Sequence, residues 1–163
     1  MGSLVMHANP RPPATQQEAM WAMDRLIATH LIGQQEMAQV MGLNVTDVTC
    51  FGFVLEAGED LLTAGELAER VHVTTGAMTG VLNRLERAGF ITRRPDPADR
   101  RRVRVAAVPD AVAMAHRLYE PYYARLTELF ADYSPEELAV LNDWFRRATA
   151  LADAFREESR RKR

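Results

Sequence analysis

Apolar residues recur at intervals of three and four along most of this chain, a spacing that predicts a mainly helical protein. The first helix is expected to begin at Thr15, which has capping-box spacing to Glu18, and to end before Gly42. Asn44 is expected to open a second helix that ends near Gly58. Two amphipathic helices are therefore predicted in the first part of the chain.

A short helix, a tight turn and a longer helix follow in the pattern. Thr63 has capping-box spacing to Glu66, which predicts the start of the short helix. Residues 72–74 form a tight connection to a longer helix expected over about 75–88, with Gly89 as its stop. This order is that of a helix-turn-helix pair.

A β-hairpin is predicted directly after the helix pair. Residues 90–94 have short-strand character, and residues 95–99 are rich in Pro and Asp, which is typical of a turn. Residues 103–106 alternate between apolar and polar, which predicts the return strand. We call this hairpin, about 90–106, the wing. The predicted fold class is mainly α with a small β-hairpin wing (α+β), a winged helix-turn-helix.

Two longer helices are expected to complete the chain. The first starts at Pro109, and Pro121 should bend it because proline lacks an N–H and clashes with the preceding turn. The second starts with Ser134 as N-cap, Pro135 at the first helical position and Glu137 at the third. The apolar stripes on these helices and on the first helix exceed what a small winged module must cover, which predicts a dimer.

The predicted organisation places the winged module between flanking N- and C-terminal dimerisation helices. Residues 15–42 and 109–157 are assigned to the helical dimerisation region, and residues 43–108 to the winged helix-turn-helix DNA-binding region. Residues 1–14 are expected to be a flexible arm, and residues 158–163 a basic tail that frays.

Charge is unevenly distributed along the chain. The net charge of −2 over 163 residues argues by itself against a nucleic-acid binder. However, residues 63–104 hold nine arginines and five acidic residues and so carry +4, which leaves −6 for the remainder. A basic block in an acidic body is typical of a surface that attracts polyanions, although a solvated charged loop has the same composition.

The candidate DNA contacts lie in this basic block. In a helix-turn-helix pair the N-terminal part of the second helix enters the major groove, where small and hydroxylated residues allow a close approach. Arginines of the wing would lie beside the duplex, within reach of a minor groove. The residues predicted to form the DNA-binding site are Thr63, Thr74, Thr75, Gly76, Thr79, Asn83, Arg84, Arg93, Arg94, Asp99, Arg100, Arg101 and Arg102. Taken singly, each is equally well explained as a helix cap or a surface ion.

Four runs in this block resemble the MarR family of regulators: 62–68, 74–79, 83–91 and 96–101. The specific part is the Leu-Glu-Arg-Ala-Gly helix end followed by the Asp-Pro-x-Asp-Arg-Arg run of the wing. The matched block extends from about residue 43 to residue 105. One departure follows it, because many relatives carry Leu-Thr-x-x-Gly where this chain has Val-Pro-Asp-Ala.

The resemblance implies a homodimer whose terminal helices interlock and whose two winged modules bind a pseudo-palindromic operator in double-stranded DNA. It also implies that Asp99 stabilises the wing and that Arg101 meets the minor groove. The chain is interpreted as a transcriptional regulator, expected to be a repressor released by a small ligand. The alternatives are a winged-helix protein-interaction module and a thiol-based redox-sensing regulator that uses Cys50.

A small aromatic or anionic effector is expected as a further partner. Met and aromatic side chains adapt to apolar guests, so the candidate ligand-binding residues are Trp21, Met23, His30 and Phe51. The competing interpretation places the same residues of the first helix in a dimer core.

Several other classes of protein are not expected. The sequence has no phosphate-binding glycine loop, no HExxH and no nucleophile elbow, so no enzyme is predicted. Four histidines at no metal-ligand spacing and one cysteine predict neither a metal nor a cofactor. No membrane span or secretory signal is predicted, and the single cysteine is typical of a reducing cytoplasm, the expected location.

Overall fold

The computed structural model describes residues 12–96, 99 and 102–162, apart from the side chain of residue 160. In chain order the elements are α1 (Gln16–Val40), α2 (Val45–Ala57), β1 (Leu62–Thr63), α3 (Ala64–Val71), α4 (Thr75–Arg87), β2 (Ile91–Pro95), β3 (Val103–Ala107), α5 (Pro109–Ala131) and α6 (Pro135–Arg161). The predicted class, mainly helical with a small antiparallel sheet, is confirmed. Most of the predicted N-terminal arm lies outside the described residues.

Side chains that cap the first turn mark where several helices begin, as the sequence predicted. Four helices begin with a side chain that accepts a hydrogen bond from a free backbone N–H and with an acidic residue three positions later that accepts from the N-cap in return. These N-caps are Thr15, Asn44, Thr63 and Ser134. Beyond the ends of α1 and α4, Gly42 and Gly89 have φ of +67° and +79°, a left-handed conformation that favours glycine.

The sheet has one strand more than the predicted hairpin. Leu62 lies opposite Val105 and Thr63 lies opposite Arg104, so β1 pairs antiparallel with β3. The other edge of β3 pairs with β2, which gives the strand order β1-β3-β2. The extra strand connects the start of α3 to the wing, so the helix-turn-helix and the wing share one sheet.

The structure divides into two compact units, of which the larger comprises residues 13–118. Its core packs α2, α3 and α4 against the sheet and excludes water from large apolar side chains, which stabilises the fold. The most deeply buried of these side chains are Phe51, Leu67, Met78, Leu82, Leu85, Ile91 and Val105. This core fixes the position of α4 relative to β2 and β3. Because this unit spans residues 13–118, it includes α1 and the first part of α5 together with the winged module.

The other unit contains the remainder of α5 and all of α6. α5 continues as one helix through Pro121, and α6 extends to Arg161, so most of the predicted fraying tail is helical. Many of the large apolar side chains in this unit are exposed in the single chain, among them Tyr122, Tyr123, Leu129, Val140, Trp144, Phe145, Leu151 and Phe155.

In the part of the chain that the structure describes, no single helix is long and apolar enough to cross a membrane. α1 and α2 reach the required length and hydropathy only when they are taken together, and they meet at a 90° bend. α2 contributes buried side chains to the core of the larger unit.

Candidate nucleic-acid interface

α4 presents a face of small and polar side chains to solvent. Its apolar residues, which include Met78 and Leu82, face the core, whereas Thr75, Thr79 and Asn83 are exposed. Residues four positions apart lie on one side of a helix, so these three form a single exposed stripe. Such a face can contact base edges and phosphates, because hydroxyl and amide groups offer both donors and acceptors.

The N-terminal turn of α4 is ordered by its own hydroxyl groups. The Thr74 side chain accepts a hydrogen bond from the backbone N–H of Ala77 at 3.2 Å, which makes Thr74 the N-cap. The Thr79 hydroxyl donates to the carbonyl of Thr75 at 3.0 Å and is left with acceptor capacity. At Gly76 an added Cβ would meet nothing within 4 Å, so the surface over this turn is open.

Arg84, a predicted DNA contact, forms an ion pair within the protein. Asp47 of α2 is 1% exposed, and the Arg84 Nε and Nη2 donate to its two carboxylate oxygens at 2.7–3.2 Å. The hydrogen bonds to Asp47 raise the pKa of Arg84. A buried carboxylate requires a charged, hydrogen-bonded partner. Arg84 therefore connects α4 to α2.

Arg93, a second predicted DNA contact, is also engaged within the protein. From β2 its Nη1 donates to Glu86 Oε2 at 2.8 Å, and its Nη2 donates to Asn83 Oδ1 at 2.8 Å. Both partners lie on α4, so the guanidinium connects the wing to the helix that precedes it. The contacts orient the side chain of Asn83, whose amide nitrogen keeps its two donors.

A buried ion pair that sequence reasoning missed holds the base of the wing. Asp96 is 3% exposed and accepts a hydrogen bond from the Arg104 Nε at 2.7 Å, while Arg104 also donates to the carbonyl of Leu61. The Asp96 N–H donates to the carbonyl of Arg102 at 2.9 Å. The resemblance implies a wing-stabilising carboxylate at Asp99, and this role stays a prediction. The carbonyl of Asp99 accepts from the N–H of Arg102 at 2.9 Å.

Thr63, another predicted DNA contact, is occupied as the cap of α3. Its N–H and its hydroxyl both donate to Glu66 Oε2 at 2.7 Å, and its hydroxyl accepts from the Glu66 N–H at 3.3 Å. The hydrogen bonds from Thr63 lower the pKa of Glu66, because they favour the ionised carboxylate. The structure thus assigns Thr63 to helix capping.

The arginines that remain available for a polyanion are fewer than the composition suggested. Of the seven arginines of the basic block that the structure describes, three form ion pairs within the protein: Arg84, Arg93 and Arg104. Arg94 and Arg102 of the wing are exposed. Arg100 and Arg101 lie outside the described residues, so their assignment stays a prediction.

The four candidate ligand-binding residues do not form one site within this chain. Trp21 is 63% exposed on α1 and lies nine residues from His30, which places the two on opposite sides of the helix. Met23 is half-buried. Phe51 is 2% exposed and packs edge-on against Phe90 with ring centroids 5.2 Å apart, so it belongs to the core.

Cys50 has the environment of an unreactive thiol. The side chain is 0% exposed, and its Sγ lies 3.8 Å from the Sδ of Met78. Burial, followed by the negative charge of Asp47, raises the pKa of Cys50 to about 12. Since the thiolate is the reactive form, this geometry opposes the redox-sensing alternative.

Comparison with other sequences identifies similar regulators. A model of the MarR family matches residues 41–102. The uncharacterized HTH-type transcriptional regulator YcgE of Bacillus subtilis (strain 168) is 32% identical over 146 residues, which are 90% of this chain and 92% of that protein. The HTH-type transcriptional repressor YetL of the same organism is 28% identical over 104 residues, 61% of this chain and 62% of that protein.

Comparison with solved structures identifies the same fold. Streptococcus pneumoniae FabT in complex with DNA superposes with a TM-score of 0.63 at 22% identity, covering 86% of this chain and 99% of that one. A mutant of MepR from a multidrug-resistant clinical isolate of S. aureus superposes with a TM-score of 0.67 at 16% identity, covering 82% of this chain and 96% of that one. The predicted winged-helix fold is confirmed by these likenesses.

Proposed function

Because this chain belongs to the MarR family of DNA-binding transcriptional regulators, which are not enzymes, we propose that it binds a pseudo-palindromic operator as a homodimer and represses transcription until a small ligand releases it. The observation that carries the proposal is the exposed polar stripe of α4, formed by Thr75, Thr79 and Asn83. The helix that bears this stripe and the wing that bears the exposed arginines pack on the same hydrophobic core. In this proposal α4 is the recognition helix.

The proposed DNA contacts divide between base reading and backbone binding. Thr75, Gly76, Thr79 and Asn83 face base edges in the major groove, while Thr74 caps the helix at the phosphates. The wing arginines, Arg94, Arg100, Arg101 and Arg102, bind the backbone and the adjacent minor groove. FabT and a second, different mutant of S. aureus MepR, which share this fold, have been solved with DNA, which supports the choice of partner.

Replacing Arg101 with alanine is expected to weaken binding to all DNA sequences. A dimer loses two guanidinium groups, so the slope of log affinity against log salt should become shallower by about two units. Affinity should fall most for operators with A·T-rich flanks, because a narrow minor groove favours the arginine. Fluorescence anisotropy with a labelled duplex at several salt concentrations measures both effects.

Two variants control this measurement. Asp99→Ala perturbs the wing but keeps the arginine, and Arg146→Ala removes the same charge from an exposed position of α6. If Arg101→Ala binds with unchanged affinity and unchanged salt slope while it stays folded, the wing is not a DNA-binding element.

The proposed homodimer is supported by apolar side chains that the single chain leaves in water. On α1 these include Met20, Leu26, Ile27 and Leu31, and on α6 they include Leu151 and Phe155, each about half exposed or more. Exposed apolar surface on this scale is typical of an interaction site. A second copy related by a two-fold axis would cover the same surfaces on both chains.

Sedimentation equilibrium at micromolar concentration is expected to show a single species of about 37 kDa, twice the 18.3 kDa chain. Leu151→Glu should shift the population towards monomer, because a charge at this 73% exposed position would be buried on association. An 18 kDa species alone in the unmodified protein would refute the dimer.

The proposed effector is a small aromatic molecule. By binding, it would change the distance between the two recognition helices of the dimer, so that they no longer fit the operator. It would bind near α1, where the exposed Trp21 offers apolar aromatic surface. The repressor name of YetL supports the direction of regulation. Phenolic and aromatic acids are expected to lower DNA affinity and raise the melting temperature. A panel of them without either effect would contradict ligand release.

A further inference from the structure

The amide of Asn83 is held in one orientation by Arg93. The Arg93 Nη2 donates to the Asn83 Oδ1 at 2.8 Å, and the Nη1 of the same guanidinium donates to Glu86 Oε2 at 2.8 Å. The guanidinium is therefore fixed from two positions on α4, one turn apart. The amide oxygen faces a cation, and the amide nitrogen of this exposed residue is left with its two donors.

The two ends of an asparagine amide recognise different atoms of a base. Bidentate pairing with adenine requires the oxygen to accept from the adenine N6 amino group while the nitrogen donates to N7. In this chain Arg93 donates to one of the two lone pairs of the Asn83 oxygen, and its positive charge disfavours a second donor beside it. The amide nitrogen is then the end that meets the base, and it fits guanine, which presents two acceptors, O6 and N7, in the major groove.

We propose that Arg93 determines specificity through Asn83: by occupying the amide oxygen, it makes Asn83 a hydrogen-bond donor that selects guanine over adenine at one base pair of each half-site. The inference rests on the proposed function, in which α4 enters the major groove. Arg93 is a positioning residue in this account, since it acts on DNA by orienting another side chain.

The test compares the DNA sequences that three proteins select from a random duplex pool. Arg93→Met frees the Asn83 oxygen, so the ratio of guanine to adenine at one base pair of each half-site is expected to fall by about tenfold. Arg94→Met is the matched control, because it removes the same charge from the next residue of β2, which is exposed. It should lower affinity for all sequences and leave the base preferences unchanged.

Asn83→Asp tests whether the guanine preference depends on the amide nitrogen of Asn83 and not on the connection between α4 and the wing. The carboxylate can accept from Arg93 as the amide oxygen does, so the connection between α4 and β2 is kept. The new side chain has no donor, so the guanine preference is expected to disappear at the base pair that Arg93→Met alters. Retention of that preference by Asn83→Asp would overturn the inference.

The outcomes distinguish this inference from the proposed function. Suppose that the unmodified protein selects a consensus. If Arg93→Met then keeps the same base preferences, or if Arg93→Met and Arg94→Met change them identically, the role of Arg93 is overturned and the proposed function is not. A pool from which the unmodified protein enriches no sequence contradicts the proposed function itself.

Discussion

Gly76→Glu is expected to reduce specific DNA affinity by about a hundredfold or more while the protein stays folded. Gly76 lies in the first turn of α4, and an added Cβ meets nothing within 4 Å, so the fold can accept the side chain. A carboxylate near a helix N-terminus is favourable for the protein, because it interacts well with the helix dipole. On the proposed interface the same carboxylate enters the major groove between two negatively charged phosphate backbones, once in each half of the dimer.

Fluorescence anisotropy measures the affinity for the operator, and thermal melting measures stability. Gly52→Glu is the matched control, since Gly52 is also exposed, helical and open around its Cβ, but lies on α2. The control should bind DNA with nearly unchanged affinity. Equal DNA affinities for the two variants would show that the surface over the first turn of α4 does not contact DNA.

Arg84→Met is expected to lower the free energy of unfolding by about 2–3 kcal/mol. The substitution leaves the Asp47 carboxylate in the core without its charged partner, while the hydrogen bond from the Asn44 N–H, at 3.4 Å, remains. The expected loss is smaller than the roughly 3–5 kcal/mol that is usual for a fully buried pair, because the Arg84 side chain is 47% exposed. Urea denaturation followed by circular dichroism gives the value.

Two comparisons isolate the ion pair as the cause. Arg87→Met, at an exposed position on the same helix, should change the free energy of unfolding by no more than about 0.5 kcal/mol. Adding Asp47→Asn to Arg84→Met removes the unpaired charge and should recover part of the loss. A stability of Arg84→Met equal to that of Arg87→Met would mean that the Asp47–Arg84 pair does not stabilise the fold.

Local chemistry explains how much of the fold could be predicted. A capping box is complete within four residues, so Thr15, Asn44 and Thr63 mark their helices in the sequence alone. β1 has no such local signal. Two residues are too few to show alternation, and Leu62 pairs with Val105, which lies far along the chain.

The same distinction holds for the candidate interface. The exposed stripe of α4 follows from helical spacing, because Thr75, Thr79 and Asn83 are four residues apart in the sequence. Which arginines remain free could not be predicted, because their partners are set by tertiary structure. Asp47 lies three residues after Asn44, so the sequence accounts for it as part of the capping box of α2. Its ion pair with Arg84, 37 residues away, leaves no signal in the sequence.

Selection of bound duplexes from a random pool at physiological salt shows whether the protein reads DNA as a symmetric dimer. We expect enrichment of a pseudo-palindrome whose half-site centres are separated by about 10–10.5 base pairs or a multiple of this, since a symmetric dimer presents two copies of α4 to one face of the duplex. Salt-sensitive binding without any enriched sequence, or a consensus without two-fold symmetry, would contradict it.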